Sequence, residues 1–206
     1  MFDHSRGQVL HMLQVMNARA PARPGRTVVF LAPGPAAGTT SLAWAYARAA
    51  AELKSARVLV LDASCTPPAT PLTPETPIVA DALVAGPCLA VKPSNGAMNV
   101  YTSRLISEDQ QGRDVLVTVS SPAFWREIRT PFDEVVIDCP AASRSPLGLA
   151  MAPHADAVVL VVEADRTRAP VAEKLLRELR ATDANVVGAV LNRRRHYVPA
   201  RIYDRL

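Results

Sequence analysis

Short unbroken apolar runs alternate along this chain with longer stretches whose apolar residues recur at helical spacing. The runs are "TVVFLA" at 27–32, "ARVLVLDAS" with Asp62 at its end and "DEVVIDCPA" closing on Asp138, while "ADAVVLVVEA" at 155–164 and "NVVGAVLN", which ends at Asn192, read as further strands and the more polar "NVYTSRL" at 99–105 as a candidate strand. Continuous apolar residues, many β-branched, predict strands buried on both faces. Between them, Val9, Leu10, Met12, Leu13, Val15 and Met16 keep helical spacing within 2–18, and "TSLAWAYARAAAELK" has the propensity of a long helix. "PAFWREIRTPF" reads as one amphipathic helix stopped at Pro131, and "RAPVAEKLLRELRAT" as a helix with Val171, Leu175, Leu176 and Leu179 on its apolar side. Buried strands alternating with helices predict right-handed βαβ units. The expected fold is α/β, a mostly parallel central sheet with helices on both faces and ligands at the strands' C-terminal ends.

Seven prolines fall between Pro67 and Pro93. Proline fixes φ and lacks the backbone donor, so 66–96 is expected to be an irregular surface loop, with "IVADALVAG" (78–86) a candidate short helix inside it. The organisation expected is an N-terminal helix and linker over 1–24, then one domain over 25–206 that ends in a basic tail, 193–206. A length of 206 residues, 49% hydrophobic and 20% charged, suits one core. No apolar run approaches the roughly 20 residues of a membrane helix, and the first 20 residues are too polar for a secretory signal, which points to the cytoplasm. Cys65, Cys88 and Cys139 have neither disulfide-framework nor zinc spacing. The net charge of +4 gathers in "NRRRHYVPARIYDRL", a solvated surface or a contact for an anionic membrane face, an acidic partner or nucleic acid. No clear basic stripe marks a DNA-binding face, so nucleic acid ranks last.

The stretch "VVFLAPGPAAGTTS" has the order strand, Gly/Pro/Ala turn, helix. Such a turn directs successive backbone N–H groups into one concavity at a helix N-terminus, where the dipole favours phosphate. Gly34 and Gly38 permit close approach and Thr40 is placed to offer a hydroxyl to Mg²⁺. In G-x-x-x-x-G-K-[ST], however, the lysine position holds Thr39, which cannot neutralise phosphate charge. Asp62 and Asp138, each ending an apolar strand, are candidates for a Mg²⁺ ligand and a water-ordering or base residue. Asn192 is a candidate to read an adenine edge and Arg193 to stack on the base.

Taken in order, "VVFLAPGPAAGTTS", "RVLVLDAS", "FDEVVIDCPA", "ADAVVLVVEADRTR" and "VVGAVLNRR" resemble the cytoplasmic tyrosine autokinases of bacterial capsule and exopolysaccharide synthesis, the CpsD/CapB type, within the MinD/ParA-like P-loop ATPases. The resemblance spans about residues 25–195. It implies that Pro35, Ala36, Gly38, Thr39, Thr40 and Ser41 belong to the phosphate loop, that Asp62 is the first acid of a D-x-D-x-R motif, that Asp138 is the Walker B aspartate, and that Asn192 and Arg193 form the adenine-side pair. It implies ATP or ADP with Mg²⁺ as cofactor, a membrane polysaccharide co-polymerase as partner, and a place at the inner face of the cell membrane. Homo-oligomerisation is implied too, although Asp3 and Arg6 match the family's ExxRxxR helix poorly, with Val9 at its last arginine.

The departures from the family pattern fall where chemistry happens. Ala36 stands for a loop glycine, Thr39 for the lysine, Ser64 for the second acid and Thr66 for the arginine of D-x-D-x-R, and the tyrosine-rich tail is reduced to Tyr197 and Tyr203. Each lost charge at a phosphoryl-transfer site costs about 3–4 kcal/mol of transition-state stabilisation. The expectation is a regulatory or scaffolding protein with a degenerate nucleotide site, weak or absent in binding. An active ATPase or autokinase is the alternative, and a ParA-like positioning ATPase the third reading. Lys54 cannot stand in for the missing lysine, because it lies about 20 Å along the helix at 1.5 Å per residue.

Overall fold

The computed structural model describes residues 6–21, 23–64, 88–91, 99–105 and 113–193. Within them α1 (Arg6–Arg19), β1 (Arg26–Leu31), α2 (Thr39–Lys54), β2 (Val58–Asp62), β3 (Cys88–Val91), β4 (Val100–Leu105), α3 (Arg113–Val119), α4 (Pro122–Arg129), β5 (Glu134–Asp138), α5 (Leu147–Met151), β6 (Ala157–Glu163), α6 (Ala169–Ala181) and β7 (Val186–Asn192) follow in turn. The strands form one sheet in the order β3-β4-β2-β5-β1-β6-β7. All pairs are parallel except the edge pair β3 with β4.

Alternation within the buried strands divides the core in two. Val29 and Leu31, Leu59 and Leu61, Val135 and Ile137, and Val158 and Leu160 face one side, where Val115, Trp125, Ile128, Met151 and Leu179 of α3–α6 cover them. Val28 and Phe30, Val58 and Val60, Val136, and Val159 and Val161 face the other, against Met12, Leu13 and Met16 of α1 and Leu42, Tyr46 and Ala50 of α2. A strand buried on both faces gains nothing from polar alternation, which is why these segments read as unbroken apolar runs. The chain passes from β1 to β2 on one side and from β5 across β1 to β6 on the other. The crevice at the C-terminal ends of β1 and β5 is therefore the switch point at which such sheets hold ligands.

Two expectations need correction, and one helix boundary is borne out. Cys88–Val91, inside the expected loop, is an antiparallel edge strand. Helix α4 ends at Arg129 with Thr130 as its C-cap, just before Pro131 as expected, and short helices α3 and α5 precede and follow it. Val171 of α6 is exposed, and only Leu175 and Leu179 of the four apolar residues are fully buried. The candidate helix at 78–86 lies outside the described residues.

A buried polar network ties the opposite, N-terminal end of the strands together. Arg26 donates to Glu134 at 2.9 Å, Tyr46 bonds Glu134, and Lys54 reaches Glu134 at 3.3 Å and Asn17 of α1 at 3.2 Å. Lys54 is thus committed at the far end of α2, and the expectation that it cannot serve the loop agrees with its place.

Candidate phosphate and carboxylate site

The turn between β1 and α2 takes left-handed backbone at alternate residues, Ala36 (φ 64°) and Gly38 (φ 83°). Such alternation turns neighbouring N–H groups toward one side, the concavity that holds a phosphate. Helix α2 starts at Thr39 with no side-chain hydrogen bond capping it, so its first-turn donors are open to an anion. Gly38 is required twice: its φ disfavours a side chain, and a Cβ there would run into Asn192 Nδ2. Ala36, where the resembling family has glycine, holds a left-handed conformation that costs about 1–2 kcal/mol. Pro35, Ala36, Thr40 and Ser41 are exposed, and Gly34 and Thr39 are half-buried.

The loop is braced from both flanks. On one, Ala142 N donates to Ala32 O at 2.9 Å and Ser143 N to Pro33 O at 3.2 Å, fastening the segment after β5 to the start of the turn. On the other, Asn192 Nδ2 donates to Ala37 O at 2.7 Å and Asn192 Oδ1 accepts from Arg193 N at 2.9 Å. The amide expected to read adenine is used to hold the loop. Arg193, with left-handed backbone (φ 58°), extends Nη1 to Glu163 Oε1 at 3.3 Å, and its Nε would lie 3.7 Å from a Cβ built on Gly38. Both residues therefore stand beside the loop. Glu163, which pairs with Arg193, is missed by sequence reading because an acid at a strand end carries no sign of its partner.

Asp62 and Asp138 face each other in register at the ends of β2 and β5, on the α2 side of the sheet. Asp138 is buried and bonded by the Thr40 side chain. Burial foremost, with the nearby Asp62 charge, raises its pKa to about 6, against the lowering effect of the Thr40 bond. Asp62 uses both oxygens: Oδ1 accepts from Ser64 N at 2.9 Å, and Oδ2 accepts from Arg104 Nε at 2.9 Å. Arg104 lies opposite Asp62 in the β2–β4 register. The sequence reading finds a charge clamp lost at Thr66, which lies outside the described residues. A cation nevertheless reaches Asp62 from β4.

The residues present fit a nucleotide's phosphates through backbone donors, and a divalent ion through the Thr40 hydroxyl, Asp138 and phosphate oxygens, the oxygen-rich setting Mg²⁺ prefers. Asp62 is less available as a ligand while Arg104 and Ser64 occupy it. Among the described residues no three His, Cys, Asp or Glu side chains gather as a metal cluster. Tyr197, Tyr203 and Asp3 lie outside the described residues.

No family model matches the chain, and no curated protein matches it in sequence. Solved structures do. The VpsO kinase domain is 20% identical, with 91% of this chain and 94% of that one covered at a TM-score of 0.65. The chimerical protein CapA2B2 is 18% identical, covering 94% and 89% at 0.69, and the kinase domain of the Escherichia coli tyrosine kinase ETK is 14% identical, covering 92% and 74% at 0.63. The chain has the fold of these proteins, the ETK tyrosine-kinase domain and the VpsO kinase domain among them, which MinD cell division proteins share.

Proposed function

We propose that this protein is a regulatory or scaffolding component of exopolysaccharide or capsule synthesis, built on the tyrosine-autokinase fold, whose site still cradles nucleotide phosphates but transfers a phosphoryl group poorly or not at all. One observation carries the reading. The loop keeps its left-handed alternation, open helix donors and the Thr40–Asp138 bond, while Thr39 stands at the cation position. Binding draws mainly on backbone dipoles that survive the substitution; catalysis needs the charge that does not.

Such a protein acts by docking, and a membrane polysaccharide co-polymerase is the partner that the resemblance implies. No helix among the described residues is long and apolar enough to cross a membrane. Attachment to the inner face of the membrane would run through that partner and the basic segment beginning at Arg193. Replacing Arg193, Arg194 and Arg195 by Glu should release the protein from the membrane fraction; unchanged retention argues against this part.

Thermal unfolding with and without millimolar ATP or ADP and Mg²⁺, beside a Thr40→Ala control, tests the site. Ligand at 100 times its Kd adds about 2.7 kcal/mol, or roughly 5–11 °C in a domain of this size. A shift lost in Thr40→Ala supports nucleotide binding through the loop; no shift for either nucleotide leaves a docking scaffold without a nucleotide site.

The Asp62–Asp138 pair and the kinase-domain fold favour a second reading, an active ATPase or tyrosine autokinase. Phosphotyrosine at Tyr197 or Tyr203 after incubation with ATP and Mg²⁺ would establish it.

A further inference from the structure

A nucleotide lying along the loop has a direction set by the loop's two flanks. Asn192 and Arg193 stand on the β7 side, while Thr40 bonds Asp138 on the β5 side. With the base toward Asn192, the phosphate tail points across Asp138 toward β2 and β4. Asp62 and then Arg104 follow in register along that edge, neighbours about 5 Å apart. The tail would thus meet two carboxylates and, from the loop, no cation to offset them.

Arg104 is the cation placed to do so. Its side chain is 31% exposed and touches Asp62 side-on, through Nε alone. Among the described residues its two terminal amino groups bond to nothing, which leaves the planar fork that matches phosphate oxygens uncommitted. The other described cations of the argument are held elsewhere, Arg193 on Glu163 and Lys54 on Glu134.

We propose that Arg104 binds the terminal phosphate of a nucleoside triphosphate and makes the site prefer triphosphate to diphosphate, taking from β4 the charge that the loop lost at Thr39. The inference rests on the nucleotide-binding reading above and assigns the ligand class of that site. When the triphosphate binds, Arg104 exchanges part of its contact with Asp62 for phosphate oxygens, so the Asp62–Arg104 pair reports which nucleotide is present.

Fluorescent ATP and ADP analogues, titrated with Mg²⁺ into the wild type, Arg104→Ala, Arg104→Lys and Asp62→Asn, separate the outcomes. The wild type should bind the triphosphate more tightly. Arg104→Ala should weaken triphosphate binding by about 10- to 100-fold, the worth of a charge-assisted contact, with diphosphate binding changed by less than about 2-fold. Arg104→Lys should recover part of the loss. Asp62→Asn, which keeps Arg104 and removes its competitor, should widen the preference, and it tests the proposal even if Arg104→Ala fails to fold. Equal weakening of both nucleotides by Arg104→Ala, no weakening of either, or a preference abolished by Asp62→Asn would overturn the role of Arg104 while leaving nucleotide binding intact. A wild type that binds neither nucleotide removes the underlying reading and this proposal with it.

Discussion

Asn192 and Ala37, 155 residues apart in sequence, are joined by a 2.7 Å hydrogen bond that fastens β7 to the loop between β1 and α2. The bond is buried, so its loss leaves the Ala37 carbonyl without that partner. Asn192→Ala should lower stability by about 1–3 kcal/mol and loosen the loop. Chemical denaturation should show the loss, and amide exchange of residues 36–40 should quicken; unchanged exchange would mean that the brace is dispensable.

Ala36 should be a stability defect that glycine corrects. At φ 64° it carries strain that glycine lacks. Ala36→Gly should raise stability by up to about 1 kcal/mol, or roughly 2–4 °C in Tm, after the greater freedom of the unfolded glycine is deducted. A lower Tm would refute the assignment of strain.

Asp138 makes stability depend on pH in a defined direction. Its carboxyl titrates near 3.8 when unfolded and at about 6 when folded. The folded state therefore holds the proton more tightly, and stability present below about pH 4 is lost as pH rises through about 6, by roughly 3 kcal/mol in all. Asp138→Asn should flatten that slope and be the more stable protein at pH 8. Denaturant midpoints across pH 4–8 check this, and a slope unchanged in the variant would contradict it.

The network at the other end of the sheet should serve the fold alone. Glu134→Gln leaves Arg26, 4% exposed, without its buried counter-charge, at a cost of about 3–5 kcal/mol. Nucleotide affinity, measured below the lowered Tm, should not change, because the network lies at the strand ends opposite the loop. A parallel loss of affinity would show that the two ends are coupled.

The central strands were legible because burial on both faces left runs such as "VVFLA" and "VVI" with no polar interruption, and the acids that end β2 and β5, Asp62 and Asp138, marked the edge of the candidate site. Edge strand β3 was hidden among prolines, since an edge position needs neither a long apolar run nor every backbone donor. The loop and its missing lysine could be read directly, because both are local sequence. Arg104 and Glu163 could not: each acts through a partner on a neighbouring strand, and strand order is not written in any one segment. Asn192 could be singled out only as a polar residue at a strand end, since its bond to Ala37 depends on the register of β7 against β6.

The most direct test of the central claim is a single-turnover experiment in which limiting radiolabelled ATP is mixed with excess protein and Mg²⁺, and retained nucleotide, released phosphate and protein-bound phosphate are followed together. The account predicts ATP that is bound and recovered intact, with no phosphotyrosine. Phosphate release or protein phosphorylation within minutes would contradict it and identify an active enzyme; no retained ATP would contradict the claim that the loop still holds nucleotide.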